Sequence, residues 1–483
     1  MVIQPSWQEI QRIKGAQEGI VIAVEISPAP DPTAVFLSLQ ENRIQSYWLD
    51  SARFHLQIGR YSFIGLDPIA TFHEVSQLRE ILNQKKVTVS PGLPPFTAGL
   101  IGYFSYEGES EWVQVRTVIS WDHQQNRCWI TEPFYPREQG EREYQEICDR
   151  LCHVGADLCV RPKEGTHTGV PLHMDVSDVC FEMDQPSFEQ MVLQAKEYIA
   201  AGDIYQVNLS QRISADINGD PFELYLRLRQ INPSPFACYL PMNQVTIAGS
   251  SPERLLKVSG DFVETRPIAG TRPRVARNTF ADRRYAQELL LSPKERAEHI
   301  MLVDLERNDL GRVCEYGSVE VNELMAVEEY SHVRHIVSNV RGKLREECDR
   351  LDAITAAFPG GTITGTPKIR SMEVIKELEP VERGLYTGSV GYLSFSGEMD
   401  LNIIIRTFLI TEGRLHIQVG AGIVADSIPE KEYEETLRKG QALLEAVQFF
   451  VSPPPLMGGG WGEGETVILS HPHPNPPPSR GRG

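Results

Sequence analysis

Two acidic pairs stand at helical spacing in the second half of the chain. Glu295 and Glu298 are three residues apart, and Glu432 and Glu435 repeat that spacing, with Lys439 one turn further on. Residues three or four apart lie on one side of a helix. Two such faces that meet could bind Mg²⁺, which takes a few carboxylates, keeps some waters and completes its shell from an anionic substrate. Alternatively, Glu295 only caps a helix and the Glu–Lys pair is ordinary surface charge.

Other side chains could transfer a proton or bind an anion. His299 and His335 are candidates for proton transfer, although a single histidine is more often structural. Arg406 lies in an apolar run, and a buried arginine needs an anionic partner, either an internal carboxylate or a substrate carboxylate. The glycine-bearing turns at 359–365 and 420–422 could cradle a carboxylate with backbone N–H groups, but tight turns alone would also require glycine.

Three helices must position these residues. A capping box that begins at Ser187 predicts a helix ending at Gly202. Ser292, followed by proline, predicts the start of a second helix that carries the first acidic pair. Pro429 opens a third helix that carries the other acidic pair. Residues 205–210 alternate polar and apolar types, which predicts a strand with one polar face.

Composition excludes several classes of protein. The chain has 483 residues, with 47 Lys and Arg against 65 Asp and Glu, a net charge of −18 that argues against a nucleic-acid surface. No run of about 18 apolar residues occurs, which argues against a membrane span. Eight cysteines are too few for a disulfide framework. The segment 1–15 has no apolar stretch typical of a signal peptide, so we expect a cytoplasmic protein.

The chain divides into four stretches by composition. Residues 1–160 are rich in short strand-like runs, and 161–185 are polar and irregular, which predicts a linker. Residues 186–452 carry strong, mixed helix and strand signals. Residues 453–483 contain eight Pro and seven Gly, so we expect this tail to be disordered.

Six ordered motifs between residues 186 and 450 resemble those of the chorismate-utilising enzymes. They are Gly202–Arg212, Ser250–Leu256, Thr265–Arg274, Lys294–Val313, Pro359–Pro380 and Gly388–Thr407. The N-terminal region, chiefly through Asp50-Ser51-Ala52 and Gly59–Gly65, more loosely resembles that of the anthranilate and aminodeoxychorismate synthase large subunits. The resemblance identifies 186–452 as the chorismate-binding catalytic region and implies an α+β fold, in which antiparallel sheets flanked by helices surround a central active site.

The same resemblance assigns roles to individual residues. It implies Mg²⁺ bound by Glu298 and Glu435, with Glu295 and Glu432 supporting through water. The resemblance also implies a protein site for chorismate itself. The residues it places around chorismate are Arg406 and Tyr386 on one carboxylate, the backbone N–H groups of Gly420 and Gly422, Thr362 and Thr271 nearby, and Lys439 near the metal-bound carboxylate.

Two further matches concern the chemistry. Glu253 matches the family's general acid, and His335 matches its active-site histidine, whereas His299 inherits no role. The 4-hydroxyl of chorismate is a poor leaving group, so Glu253 must be protonated to give it a proton. A carboxyl group kept neutral near pH 7 needs burial or acidic neighbours.

The residue Gln206 indicates which nucleophile attacks chorismate, water or ammonia. Family members that add water carry lysine at this position, and a neutral amide cannot deprotonate water. We therefore expect ammonia as the nucleophile, supplied by a glutamine amidotransferase subunit, since this chain shows no glutaminase motif of its own.

Three functions remain open at this point. The motif at 205–211, Thr265-Arg266 and Met399–Asn402 resemble the branch that aminates chorismate at C4, the aminodeoxychorismate synthases. The alternative is the anthranilate synthase branch, which aminates C2 and expels pyruvate. Some members of the first branch carry a nucleophilic lysine at the position of Ala269, which alanine cannot replace. A non-catalytic subunit that senses chorismate or tryptophan is the third possibility.

Overall fold

Apolar runs separated by turn residues form strands here, and the apolar stripes form helices that cover them. The computed structural model describes residues 3–12, 18–53, 58–159, 174–273, 288, 291–329 and 333–451. The helices are α1 (Trp7–Arg12), α2 (Pro32–Glu41), α3 (Val75–Gln84), α4 (Glu141–Cys159), α5 (Gln185–Ala201), α6 (Pro221–Ile231), α7 (Pro293–Gly311), α8 (Arg350–Ala357), α9 (Lys368–Leu378) and α10 (Pro429–Gln448), with a 3₁₀ turn at Gly361–Ile363.

The strands are mostly short. In the first half they are β1 (Ile3–Gln4), β2 (Gly19–Ile26), β3 (Ser46–Asp50), β4 (Tyr61–Phe72), β5 (Val87–Thr88), β6 (Gly99–Phe104), β7 (Ser110–Asp122), β8 (Arg127–Phe134), β9 (Asp175–Val176), β10 (Cys180–Phe181), β11 (Gln206–Asn218) and β12 (Phe236–Pro241). In the second half they are β13 (Thr246–Ser251), β14 (Arg254–Ser259), β15 (Phe262–Thr265), β16 (Ile268–Pro273), β17 (Glu320–Glu329), β18 (Val333–Lys343), β19 (Gly365–Thr366), β20 (Ser389–Ser394), β21 (Met399–Asn402), β22 (Thr407–Thr411) and β23 (Arg414–Ile423).

Strand β7 is the branch point of the sheet. On one side it pairs with β4, and from there a first arm continues through β3, β12, β13, β22 and β23 to β11. On the other side it pairs with β6, and a second arm continues through β20, β21, β14 and β15 to β18, which also holds β16 and β17. These pairings are antiparallel, so the predicted α+β class with antiparallel sheets is confirmed.

The two arms pack face to face. One hydrophobic cluster contains side chains of both arms, among them Phe63 and Ile247 from the first and Ile101 and Tyr392 from the second. The outer face of the first arm is covered by α2, α6 and α10, and that of the second by α3, α7 and α8. The layers therefore follow the order helices, sheet, sheet, helices. At the ends of the two arms, polar side chains are not needed for the apolar core and can form a site.

Two of the three predicted helix starts are confirmed. Helix α7 begins directly after Ser292, whose Oγ accepts a hydrogen bond of 3.4 Å from the backbone N–H of Glu295, and α10 begins at Pro429. The prediction of Ser187 as a cap is wrong. Asp184 caps α5 by accepting a 3.0 Å hydrogen bond from the Ser187 N–H. Proline is favoured in the first turn of a helix, so the proline before Ser187 lies inside α5 and the helix begins earlier than predicted.

Strands from the predicted N-terminal region pair with strands from the predicted catalytic region. Asp50 of β3 lies opposite Ala237 of β12, and Phe104 of β6 lies opposite Ser389 of β20. The residues up to Val451 form one compact unit. Most of the predicted linker and the whole predicted tail lie outside the described residues. Within the described part of the chain, no helix is long and apolar enough to cross a membrane.

Candidate active site

The polar face of β11 is buried against two glycines of β23. Asn208 and Gly422 are register partners across these strands. A Cβ atom on Gly422 would lie 2.7 Å from Nε2 of Gln206, and one on Gly420 would lie 2.6 Å from Oδ1 of Asn208. These distances are shorter than any normal contact. The glycines are therefore needed because the two amide side chains occupy the space above them.

Helix α7 brings Glu298 to this surface. Nε2 of Gln206 donates a 3.1 Å hydrogen bond to Oε1 of Glu298. The same carboxylate oxygen lies 3.9 Å from the position that a Cβ of Gly422 would take. Half-buried Glu298 thus faces the glycine pair.

Helix α10 brings Glu435 to the same surface. Nζ of Lys439 donates a 3.0 Å hydrogen bond to the carbonyl of Gly420 and forms an ion pair of 3.0 Å with Oε1 of Glu435. Glu298 and Glu435 therefore approach one short segment of β23 from two helices. The cation hypothesis requires these two carboxylates to meet, and that meeting stays a prediction.

The outer glutamates of each pair lie one helical turn earlier. Glu432 is buried in the first turn of α10, and Glu295 is half-buried in the first turn of α7. Among the residues that the structure describes, no three His, Cys, Asp or Glu side chains converge tightly enough to form a metal cluster. The four-glutamate cation site accordingly stays a prediction.

Glu253 lies between β13 and β14, next to an irregularity in the pairing of β14 with β21. Its carbonyl accepts a bond from Ile403, and its Oε1 accepts one of 3.5 Å from the N–H of Ile268. Burial raises the pKa of Glu253 to about 7, opposed by the Thr362 hydroxyl and the Ile268 N–H and, at longer range, by Lys439 and Arg406. A carboxyl group with a pKa near neutral pH keeps a substantial protonated fraction there and can act as a general acid.

His335 lies on β18, opposite Thr271 of β16 in the strand register. Its Nδ1 lies 3.1 Å from the carbonyl oxygen of Gly270. Burial, reinforced by the charge of Arg406, lowers the pKa of His335 to about 3. The ring is thus neutral at physiological pH, with Nδ1–H donating to the carbonyl and Nε2 as an acceptor. The Thr271 side chain lies outside the described residues.

Tyr386 and Arg406 are the two residues predicted to bind one substrate carboxylate. The Tyr386 hydroxyl lies 2.8 Å from the Cβ position of Gly420, and burial raises the pKa of this phenol, which keeps it a neutral donor. Arg406 is half-buried in the loop between β21 and β22, with a left-handed φ of 51°. Its charge lowers the pKa of both Glu253 and His335, so Arg406 lies within electrostatic range of these two groups.

A buried ion pair holds several of these segments together, and sequence reasoning missed it. Arg383 is fully buried, with Nη2 2.8 Å from Oε1 of Glu379. The guanidinium group also donates to the carbonyls of Asn208 and Ile363, each at 2.8 Å. The pair therefore ties β11 to the 3₁₀ turn that carries Thr362. The only local signal for it was a Glu and an Arg four residues apart.

Glu306 is a second buried carboxyl group that the sequence did not reveal. It lies on α7, and burial raises its pKa to about 7, opposed by Lys368 and reinforced by Asp309 and Glu253. In the sequence it stands among charged residues, and no local pattern marks it as buried. His299, by contrast, is structural, since it is buried with Nε2 2.6 Å from the Ser338 hydroxyl.

A separate cavity of about 730 Å³ opens beside β3, β4, β12 and β14. Ser51, Arg60, Pro235, Arg254 and Lys257 are among its lining residues. Within the described part of the chain, none of the predicted chorismate-site residues lines it. This cavity is therefore distinct from the glycine-pair site.

Comparison with known proteins agrees with this arrangement. Residues 37–445 match the profile of a family described as chorismate binding enzyme. The chain belongs to the chorismate-binding enzyme family. The match extends across both arms of the sheet, so the strands of the N-terminal region from β3 onwards belong to the family fold as well.

Individual members of the chorismate-binding family match over most of their length. Anthranilate synthase component 1 of Aquifex aeolicus is 38% identical over 93% of this chain and 98% of that protein. Aminodeoxychorismate synthase component 1 of Bacillus subtilis is 39% identical over 86% of this chain and 94% of that protein. The crystal structure of anthranilate synthase component I from Streptococcus pneumoniae superposes with a TM-score of 0.71 at 31% identity, covering 87% of this chain and 98% of that one.

Proposed function

We propose that the chain is the large subunit of an aminodeoxychorismate synthase, which aminates chorismate at C4 to 4-amino-4-deoxychorismate for 4-aminobenzoate and folate synthesis. The observation that supports an amination is the neutral amide of Gln206, whose Nε2 lies 3.1 Å from Oε1 of Glu298 at the centre of the site. An amide cannot activate water, so ammonia is the nucleophile. The motif around Gln206, together with the Bacillus subtilis relative, supports C4.

Substrate carboxylates bind to donors that the site already presents. The Tyr386 hydroxyl and the Arg406 guanidinium group hold one carboxylate, with the N–H groups of Gly420 and Gly422 beside it. Lys439, already near the glycine pair, compensates the other carboxylate. Local positive charge of this kind is needed because the chain as a whole is acidic.

Glu298 and Glu435 are the residues that would hold Mg²⁺, with Glu295 and Glu432 supporting through water. Carboxylate oxygens are the ligands that Mg²⁺ prefers, and both inner glutamates face the same glycine pair, so the residues present fit this cation. Bound Mg²⁺ would supply positive charge that polarises the substrate carboxylate.

Glu253 performs the proton transfers. Its protonated form donates to the leaving 4-hydroxyl, so that the C4–O bond breaks and water departs while the nitrogen of ammonia forms the new C4–N bond. The resulting carboxylate then accepts a proton from the ammonium group of the product. His335 is too weak a base to take this proton, because its pKa is about 3, and it serves as a neutral hydrogen-bonding group.

A glutamine amidotransferase subunit would supply the ammonia. Substitution of ammonium salts for that partner makes the reaction of this chain measurable on its own.

Anthranilate synthase is the second candidate. Relatives from Aquifex aeolicus and Thermus thermophilus, at 38% and 40% identity, both carry that name. This reaction puts the nitrogen at C2, after which pyruvate leaves, so chorismate and ammonia yield anthranilate, pyruvate and water. Nothing in the glycine-pair site selects against it.

Product analysis tests the proposal. The purified chain is given chorismate, Mg²⁺ and ammonium, with and without an aminodeoxychorismate lyase. We expect 4-aminobenzoate only when the lyase is present. Fluorescent anthranilate without the lyase would replace the first candidate by the second. No turnover, together with chorismate binding, would leave the non-catalytic sensing subunit.

A further inference from the structure

Asn208 lies at the centre of the site but has no part in the chemistry described so far. Its side chain is 8% exposed, and among the described residues its Oδ1 atom has no hydrogen-bond partner. A buried amide that loses its bonds to water without gaining others destabilises the folded chain. Buried polar groups of this kind therefore point to a partner that binds later.

The backbone of Asn208 is held firmly. Its N–H donates 2.8 Å to the carbonyl of Thr364, and its carbonyl accepts 2.8 Å from Arg383. The side chain consequently projects from a fixed point of β11. The unpartnered Oδ1 atom is therefore a feature of this fixed position.

The amide faces the carboxylate end of the site. A Cβ on Gly420 would lie 2.6 Å from Oδ1 of Asn208 and 2.8 Å from the Tyr386 hydroxyl, so both polar groups border the same small space. A carboxylate has about four acceptor positions, more than Tyr386 and Arg406 fill. Rotation of the carboxamide by half a turn presents its NH₂ group to that space.

We infer that the Asn208 carboxamide contacts the substrate, donating a hydrogen bond to the carboxylate held by Tyr386 and Arg406. This inference rests on the proposed function, since it needs chorismate in the glycine-pair site. It assigns to Asn208 a role in substrate binding rather than in proton transfer. The competing explanation is that Asn208 only accepts a bond from Tyr386 and positions it.

Three variants separate these explanations. Asn208→Leu removes both hydrogen-bonding atoms at similar size. Asn208→Asp keeps the acceptor for Tyr386 but repels a carboxylate. Gln211→Leu is the matched control, because Gln211 is a buried amide on the same strand with an orphaned Oε1, yet it faces α10 through a 2.6 Å bond to Thr436.

KM and kcat for chorismate are measured with saturating ammonium, together with the Tm with and without chorismate and Mg²⁺. Loss of a hydrogen bond to a charged group predicts a KM for Asn208→Leu about ten-fold or more above wild type. We expect a still higher KM for Asn208→Asp, little change in kcat, and no loss of Tm in the free Asn208→Leu chain. The KM of Gln211→Leu should match wild type.

The inference is overturned by an unchanged KM in Asn208→Leu, or by an Asn208→Asp variant that binds chorismate as well as wild type. If the wild type does not turn over chorismate, the proposed activity fails. The inference then still stands if chorismate raises the Tm of wild type and not that of Asn208→Leu. It fails with the activity if chorismate stabilises neither.

Discussion

The amide nitrogen of Gln206 donates a 3.1 Å hydrogen bond to the carboxylate of Glu298. The residue proposed to distinguish ammonia from water as nucleophile is thus in direct contact with a proposed metal ligand. The side chain at position 206 and the carboxylate at position 298 are therefore linked by a hydrogen bond, and mutation can test the role of each.

Glu298→Gln should abolish Mg²⁺-dependent turnover, because the amide cannot replace a negatively charged ligand. Steady-state rates over a series of Mg²⁺ concentrations measure this. Glu434→Gln, which changes an exposed glutamate of the same charge on α10, is the control and should behave as wild type. An unchanged Mg²⁺ response in Glu298→Gln would remove the metal assignment.

Gly420→Ala and Gly422→Ala should each remove most of the activity, since a Cβ at either position meets an amide side chain at 2.6 or 2.7 Å. Gly311→Ala is the control, because a Cβ there has open space at the end of α7. Its kinetics should be unaffected. Full activity in both β23 variants would show that the amides can move aside.

The pH dependence of kcat/KM should report Glu253. Its pKa is about 7, and the protonated form is the active one, so kcat/KM should fall as pH rises through about 7. Glu253→Gln should lose activity across the range and, with it, this limb of the profile. A wild-type profile that stays flat from about pH 6 to about pH 9 would contradict the assignment.

Glu306 should make the fold less stable at high pH. Its pKa is about 7 in the folded chain against an ordinary value of 4.5 for a solvated glutamate, so the folded chain binds more protons between these values and stability falls as pH rises through that window. Glu306→Gln should therefore raise the free energy of unfolding at pH 8 by up to about 3 kcal/mol relative to its effect at pH 4.

Urea unfolding at several pH values measures the Glu306 effect. Asp304→Asn, on the same helix and exposed, serves as the control with no such pH dependence. An equal difference between Glu306→Gln and wild type at pH 4 and pH 8 would rule out a buried, titrating Glu306.

Arg383→Met should destabilise the fold by about 3–5 kcal/mol, because it leaves Glu379 buried without its counter-charge. The double variant Arg383→Met with Glu379→Leu should recover much of that loss, since no charge is then left unpaired. Unfolding free energies of the two variants decide the matter. A double variant as unstable as the single one would show that the carbonyl bonds of Arg383 dominate.

Local signals predicted the elements that carry the acidic pairs. Ser292 and Pro429 mark helix starts because capping and proline geometry act within a few residues. The approach of Glu298 and Glu435 to one strand follows from that placement and from the resemblance. At α5, both Asp184 and Ser187 are residue types that can cap a helix, and the structure uses Asp184, the earlier of the two.

Burial of individual polar groups could not be predicted in this way. Asn208, Glu306 and Arg383 depend on which segments pack above them, and those segments are distant in the chain. Local spacing does not report such packing, and even the Glu379–Arg383 spacing gave no sign that the pair is buried. The roles of Tyr386 and Thr362 likewise came from family resemblance and not from any pattern in the residues around them.

The pairing of β6 with β20 cannot form until most of the chain has been synthesised. Ser389 pairs with Phe104, 285 residues earlier in the chain. At about 5–20 residues per second, β6 leaves the ribosome some 15–60 s before its partner strand exists. During that interval the backbone edge that pairs with β20 has no native neighbour. Nascent chains of this enzyme should therefore occupy chaperones until translation is nearly complete, and their yield should depend on chaperone supply more than on the stability of the finished fold.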